Sequence, residues 1–446
     1  MLTRREVLAG LPASAWAAAP SRPNLIFILI DDLRWDALGC SGHPFSRTPN
    51  IDRIAAEGVR FTNAFVTTPL CSPSRASYLT GQFVHKHGVT GNGDNAALSH
   101  RLVTFPKLLR DSGYETAYAG KWHMGTDDSP RPGFDRWVSF RGQGQFDDPQ
   151  INVDGKSSQV NGYMTDIVTQ HALDFVNAAR SKPFCLYLAH KAVHGPFTPA
   201  ARHAKDFADQ PIRRAPSFEG NFAGKKALVR DVPGQPKHGQ GPGSADELIR
   251  NQLRCLRSID EGVGRIYDAL RDTGRLEDTA IVFTSDNGYF WGEHRLGDKR
   301  WAYEESIRIP MLMRLPGKIP AGRLVDQFAL NIDIAPTMLA LAGERAPKTM
   351  QGRSLLPVMG TKPRRWRESF LSEYFQEERF PKTPSWQAVR NRRFKYIHYT
   401  DLDGMDELYD LSTDPHEMRN IIDDRGATAT TADMKKELTR LLKETA

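Results

Sequence analysis

Asn24-Leu-Ile-Phe-Ile-Leu-Ile30, followed at once by Asp31-Asp32, is an unbroken apolar run that ends on two acids. Without polar alternation and with three isoleucines in seven residues, it reads as a strand buried on both faces, the pattern of a parallel sheet covered by helices. Similar runs recur at Glu115–Ala119, Phe184–Ala189, Ala280–Thr284 and Pro310–Arg314. Between them lie helical patterns at residues 48–58, Phe105–Arg110, Tyr163–Arg180, Asp246–Leu270 and Asp333–Ala342. Pro49 at the start and Gly58 at the end punctuate the first of these as a helix. Strands alternating with helices define an α/β domain with a large, mainly parallel central sheet over residues 22–345. After Pro347 short alternating strands (Gln387–Arg390, Phe394–Tyr399, Glu407–Leu411) and a helical Met434–Lys443 give a smaller antiparallel α+β subdomain, residues 346–446. Residues 195–245 are rich in Gly, Pro and basic side chains and lack periodicity. Loops of that length are functional or disordered.

The chain has 446 residues and a net charge of +7, with 60 Lys and Arg against 53 Asp and Glu. No stretch approaches 18 apolar residues, which excludes a multi-span membrane protein. The excess charge forms no Lys/Arg run of the kind that marks a nucleic-acid arm, so no nucleic-acid partner is expected. Residues 1–19 carry Arg4-Arg5, an Ala-rich apolar stretch and small residues near Ala15-Trp16-Ala17, which reads as a cleavable, twin-arginine-like signal. Its removal takes away Arg4, Arg5 and Glu6, leaving +6 on an exported, periplasmic or extracellular protein. In an oxidising compartment Cys40, Cys185 and Cys255 could supply one disulfide, which their spacing does not specify.

Polar residues follow each buried strand directly. Asp31-Asp32 follows the first, Gly120-Lys121-Trp122-His123 the second, His190 and His194 the third, and Ser285-Asp286-Asn287-Gly288 the fourth. In open α/β sheets the ligand crevice lies beyond the carboxyl ends of the strands, so four such ends point to one site. Each piece alone reads equally as a turn or cap. Asp31, Asp32, Asp286 and Asn287 are hard oxygen donors, which suit Ca²⁺ or Mg²⁺ better than zinc.

Leu70-Cys71-Ser72-Pro73-Ser74-Arg75, continuing to Leu79-Thr80-Gly81, is the most informative segment. Pro73 suits the first turn of a helix. That places Cys71 just before the helix N-terminus, where the macrodipole favours an anion, with Arg75 one turn in as a fixed cation. The arrangement makes a cradle for a tetrahedral oxyanion around a nucleophile, or simply a buried Cys beside a helix cap.

Cys71-x-Pro73-Ser74-Arg75 with Leu79-Thr80-Gly81 resembles the signature of the type I, formylglycine-dependent sulfatases of the alkaline-phosphatase-like superfamily. Further matching elements are Asp31-Asp32, Gly120-Lys121-Trp122-His123, His194-Gly-Pro, Ser285-Asp286-Asn287-Gly288, Lys299, Tyr303-Glu304, Arg308-Ile-Pro310, Asn331-Ile-Asp333 and Leu408-Tyr409-Asp410-Leu411. The resemblance implies an α/β sandwich with a small C-terminal antiparallel sheet. It implies a sulfuric ester hydrolase in which a formylglycine-generating enzyme converts Cys71 to formylglycine, whose hydrate attacks sulfur. By the same resemblance Asp31, Asp32, Asp286, Asn287 and residue 71 hold the metal, Ca²⁺ or else Mg²⁺. Arg75 would orient the hydrate, and Lys121 and Lys299 would neutralise the sulfuryl oxygens. His194 would protonate the leaving oxygen, with His190 the alternative, and His123 would hold the second hydroxyl.

The chain departs from the family at Tyr303-Glu304-Glu305-Ser306, where Gly-Gly often follows Tyr-Glu. Glu305 is thus expected either to alter the sulfate pocket or to face solvent. Lys191-Ala-Val-His194-Gly-Pro-Phe197 resembles sulfatases of carbohydrate sulfates, including N-acetylglucosamine-6-sulfatases and mucin-desulfating enzymes, which implies a sulfated carbohydrate as partner. The basic 195–245 stretch would contact acidic sugars or form a lid. Trp122, Trp291 and Trp301 are either packing residues or sugar platforms. An aryl- or choline-type sulfatase, a phosphonate or phosphodiester hydrolase, and a non-catalytic polyanion-binding protein are the competing readings.

Overall fold

The computed structural model describes residues 22–220, 222, 224–238, 245–360 and 365–446. The signal read at residues 1–19 lies outside them. Strand Asn24–Ile30 sits inside a ten-stranded sheet. Its parallel neighbours are Thr279–Ser285 on one side and Phe184–Ala189 on the other, and Glu115–Gly120 and Arg136–Ser139 extend the parallel block.

The all-apolar composition follows from the two faces. Leu25, Phe27 and Leu29 enter one hydrophobic cluster, while Ile26, Ile28 and Ile30 enter the other. Each such side chain contributes about 1.5–3 kcal/mol by leaving water. Helices Cys71–Thr80, Phe105–Asp111 and Ile334–Leu341 cover the first face. The second is covered by Met164–Asn177 and the 27-residue helix Asp246–Asp272.

Toward each margin the sheet takes up antiparallel pairs, although the edge strand Arg323–Val325 runs parallel to Val59–Phe61. Met311–Arg314 runs antiparallel to Thr279–Ser285 and is followed by Val59–Phe61 and Arg323–Val325, and the hairpin Gln150–Val153/Lys156–Gln159 closes the other margin. Strands of three or four residues carry no period to read, and Lys156–Gln159 is exposed throughout. A separate four-stranded antiparallel sheet, Ser369–Tyr374, Trp386–Asn391, Phe394–Tyr399 and Glu407–Asp410, is backed by helix Thr428–Thr445. Its apolar face joins the first cluster through Phe370, which packs on Phe65 and Phe328.

The described part of residues 195–245 is tied to the body. Arg202 pairs with Asp166 and Glu261, and the buried Lys225 donates to the Tyr409 hydroxyl. Among the described residues no helix is long and apolar enough to cross a membrane. All four cysteines are unpaired, so no disulfide links Cys40, Cys185 or Cys255.

Candidate functional site

The strand ends converge. Asp31 and Asp32 leave Ile30, and the Asp31 amide donates to Ala192 O while Asp286 N donates to Ile30 O. Gly120 is required at the end of its strand: φ is +121°, and a Cβ there would lie 1.8 Å from Ala189 O. Lys121 N then donates to the same carbonyl at 2.8 Å, which turns the lysine into the crevice.

Cys71 is the first residue of its helix, not the residue before it. Leu70 is the extended N-cap (φ −154°, ψ 137°), and proline is tolerated throughout a first turn, so Pro73 alone does not define the start. The cap comes from a distant loop: Asn92 Oδ1 accepts from Ser72 N at 3.0 Å. Cys71 Sγ lies 3.6 Å from Asp31 Oδ1 and 3.2 Å from Lys299 Nζ. Burial pushes the Cys71 thiol up to about 12 against the pull of Lys121 and Lys299, so as a cysteine it is a neutral thiol.

Around it, Lys121 pairs with Asp31, and Lys299 donates to Asp32. Arg75 stands near enough to Cys71 for a charge there to act on it, but its hydrogen bonds go to other groups. Its guanidinium grips Asp286 at 2.8–2.9 Å and lies 3.7 Å from Asp31. Burial alone would raise Asp31, but Lys121, His194, Arg75 and Lys299 hold it well below the usual carboxylate range. Asp286 goes the other way, to about 7, through burial and the charge of Asp31.

Ligand atoms of Asp31, Asp32, Cys71 and His194 lie within 4.8 Å of one another. Asn287 donates through Nδ2 to Asp32 Oδ1, while its buried Oδ1 has no hydrogen-bond partner among the described residues. A buried amide oxygen without a partner is costly, and beside three carboxylates it is a ready ligand for a hard cation. The residues therefore fit a divalent metal.

His194 donates from Nδ1 to Gly195 O, leaving Nε2 3.7 Å from Asp32 Oδ2. Burial lowers it to about 4, so its ring is neutral in the free site. His190 is buried, feels the charge of Asp166 and does not line the cleft. His123 stands at φ +56°, and burial lowers it well below its ordinary value.

Above these groups opens a cleft of about 780 Å³, with His123, His194 and Lys299 lining it. Its walls are residues 90–95, Gln143, Asp298, Arg300 and residues 376–380. Sequence reasoning did not single out Asn92, Gln143, Arg300 or Glu377. They belong to polar loops, where such residues are the norm. Gln143 carries a buried Oε1 without a partner among the described residues, an acceptor available to a ligand.

Glu305 does not face solvent. It is buried, 3.6 Å from the His294 imidazole and away from the cleft lining. Its helix, Glu304–Ile307, packs against Gly288, where an added Cβ would lie 2.0 Å from Glu305 O. Nor do the tryptophans offer sugar platforms. Trp122 packs on Tyr118 and Trp137, Trp301 stacks on Tyr303, and Arg34 covers Trp291 at 4.4 Å.

The sulfatase family model matches residues 23–344, and a model of the N-sulphoglucosamine sulphohydrolase C-terminal region matches residues 292–444. The chain is 35% identical to an N-acetylglucosamine-6-O-sulfatase of Bacteroides thetaiotaomicron, over 95% of this chain and 86% of that protein. It is 31% identical to the N-acetylglucosamine-6-sulfatase of Homo sapiens, over 91% and 82%. A solved structure in complex with its substrate D-glucosamine-2-N,6-O-disulfate superposes with a TM-score of 0.87 at 32% identity, covering 95% of this chain and 98% of the other.

Proposed function

Because the chain belongs to the sulfatase family, with the alkaline-phosphatase-like fold and sulfuric ester hydrolase activity that membership carries, we propose that its substrate is a 6-O-sulfated glucosamine unit of a glycan. The observation that carries this reading is the convergence of Cys71, Asp31, Asp32 and His194 within 4.8 Å beside an open cleft. The relatives supply the sugar, since two act by name on N-acetylglucosamine 6-sulfate and a third structure holds a 6-O-sulfated glucosamine.

The family implies a formylglycine and a metal. In our reading residue 71 would carry the aldehyde and Asp31, Asp32, Asp286 and Asn287 would hold Ca²⁺, which together would supply an acidified oxygen nucleophile. The chain's own residues do the rest. Lys121 and Lys299, long ammonium arms already beside Asp31, Asp32 and Cys71, neutralise the sulfuryl oxygens as charge develops. Arg75 fixes Asp286, and so the carboxylate bed, and from there orients the hydrate. His123 stands on the cleft wall to hold the second hydroxyl. His194 protonates the leaving sugar oxygen from Nε2, taking up that proton as the anionic ester binds beside it. Gln143 Oε1 accepts from a sugar hydroxyl or amide.

The test is a comparison of kcat/KM across 6-O-sulfated glucosamine and N-acetylglucosamine, galactose 6-sulfate, 4-nitrophenyl sulfate and a phosphodiester, on protein assayed for bound calcium. The 6-O-sulfated glucosamines are expected to lead. Preferred turnover of the phosphodiester overturns the reading.

Leaving-group dependence tests His194 separately. His194→Ala is expected to slow the sugar sulfate by about 10²–10⁴-fold. 4-Nitrophenyl sulfate, whose phenolate leaves unaided, should slow far less. Equal losses on both substrates remove His194 from the acid role. Export is part of the same proposal and rests on residues 1–19 alone.

A further inference from the structure

The proposed sulfate-handling groups lie between residues 31 and 299, yet one wall of the cleft comes from residues 376–380. There the carboxylate of Glu377 joins two loops that otherwise make separate approaches to the site. Its Oε2 accepts from Arg300 Nε at 2.8 Å and from the Tyr374 hydroxyl at 3.3 Å. Its Oε1 accepts from Asn92 N at 3.1 Å. Arg300 directly follows Lys299. Asn92 supplies the Oδ1 that caps Ser72 N, one residue after Cys71. A single carboxylate therefore reaches both flanks of the thiol–ammonium contact, one bonded neighbour away on each side.

The Lys299 flank needs such a hold. Asp298 and Arg300, on either side of the lysine, have φ of +66° and +85°, a region that non-glycine residues occupy uncommonly. Such backbone persists only where its surroundings over-determine it. Here the Arg300 guanidinium is bound by Glu377 and Asp298 and lies 3.5 Å over the Phe380 ring. The Arg300 carbonyl accepts from Trp386 Nε1 at 2.7 Å. Apart from Asp298, these partners come from the segment that carries the small sheet.

We propose that Glu377 is a positioning residue for sulfate ester hydrolysis: it sets Lys299 and the start of the Cys71 helix in register with one another. This rests on the roles proposed above for residue 71 and Lys299. The carboxylate already accepts from Arg300, Tyr374 and Asn92, and the contribution proposed for it passes through Arg300 and Asn92 rather than through contact with the sugar.

The experiment is a double-mutant cycle of Glu377→Ala and Lys299→Ala, with Glu377→Gln as the milder variant, on enzyme whose residue 71 conversion is verified by mass. Glu377→Ala is expected to lower kcat about 10–100-fold, as loss of a supporting contact does, with KM nearly unchanged; Arg300 keeps Asp298, so the chain should fold, with a lowered thermal midpoint. In the Lys299→Ala background the same change should have little further effect. A rise in KM with kcat preserved makes Glu377 a sugar contact and overturns the proposal. So does full additivity with Lys299→Ala, or unchanged kcat. Should Glu377→Ala not fold, the same criteria apply to Glu377→Gln. Lys299→Ala alone checks the premise: full turnover in that variant removes the role of Lys299, whatever Glu377 does.

Discussion

Cys71→Ala is expected to abolish turnover, with kcat falling by on the order of 10⁴-fold or more, the scale seen when a nucleophile that acts as one unit with its partners is removed. The fold should survive, because the site loses one sulfur atom and keeps its charges. Lys299 retains Asp32, Lys121 retains Asp31 and Arg75 retains Asp286. The change also sharpens what residue 71 does in the wild type. An unconverted Cys71 is a buried neutral thiol, a poor nucleophile at pH 7. Activity should therefore track the fraction of chains whose residue 71 peptide is lighter by about 18 Da, the mark of cysteine converted to the aldehyde. Turnover by Cys71→Ala, or wild-type activity uncorrelated with that mass change, sinks the nucleophile assignment.

The second large effect concerns stability. Glu304 is buried against Arg390 at 3.0 Å and Lys395 at 3.0 Å, and its amide donates to Glu417, which also pairs with Lys395. Glu304→Gln leaves Lys395 with Glu417 but strands Arg390, at an expected cost of about 3–5 kcal/mol in urea unfolding. Burial alone would raise the Glu304 carboxyl. Arg390, Lys395 and Arg308 outweigh it and hold the group below the usual carboxylate range. A depressed carboxyl contributes stability above the pKa of the unfolded chain and loses it as pH falls through the folded one. The gap between wild type and Glu304→Gln should therefore be widest near neutrality and narrow in acid. A neutral-pH difference within ~0.5 kcal/mol, the range of an ordinary surface change, would exclude this network as a major tie.

The central strands are legible because a residue that must be apolar on either face leaves an unbroken run, as Leu25 to Ile30 does. The margins are not, since Val59–Phe61 has three residues and Lys156–Gln159 is all polar. The site divides along the same line. Asp31, Lys121, His194 and Asp286 stand out by following apolar runs, against which a charged residue is conspicuous. Glu377 sits in Gln376-Glu-Glu-Arg-Phe380, a string in which nothing distinguishes the one acid that reaches Arg300 and Asn92 from its exposed neighbour. Glu305 was ambiguous for a related reason: a one-turn helix has too few residues to show which side faces inward.

The complete burial of Cys71 has a consequence in time rather than in space. Its helix is sealed along its whole length, and Lys299 lies against the sulfur. On the proposal that residue 71 is converted to the aldehyde, a modifying enzyme could not close around that thiol once the chain has folded, so conversion would have to come first. If the folded protein is then exported, the order of events is set by accessibility alone: oxidise, fold, cross the membrane. On the same proposal, a chain that folds first would keep its cysteine and stay inert.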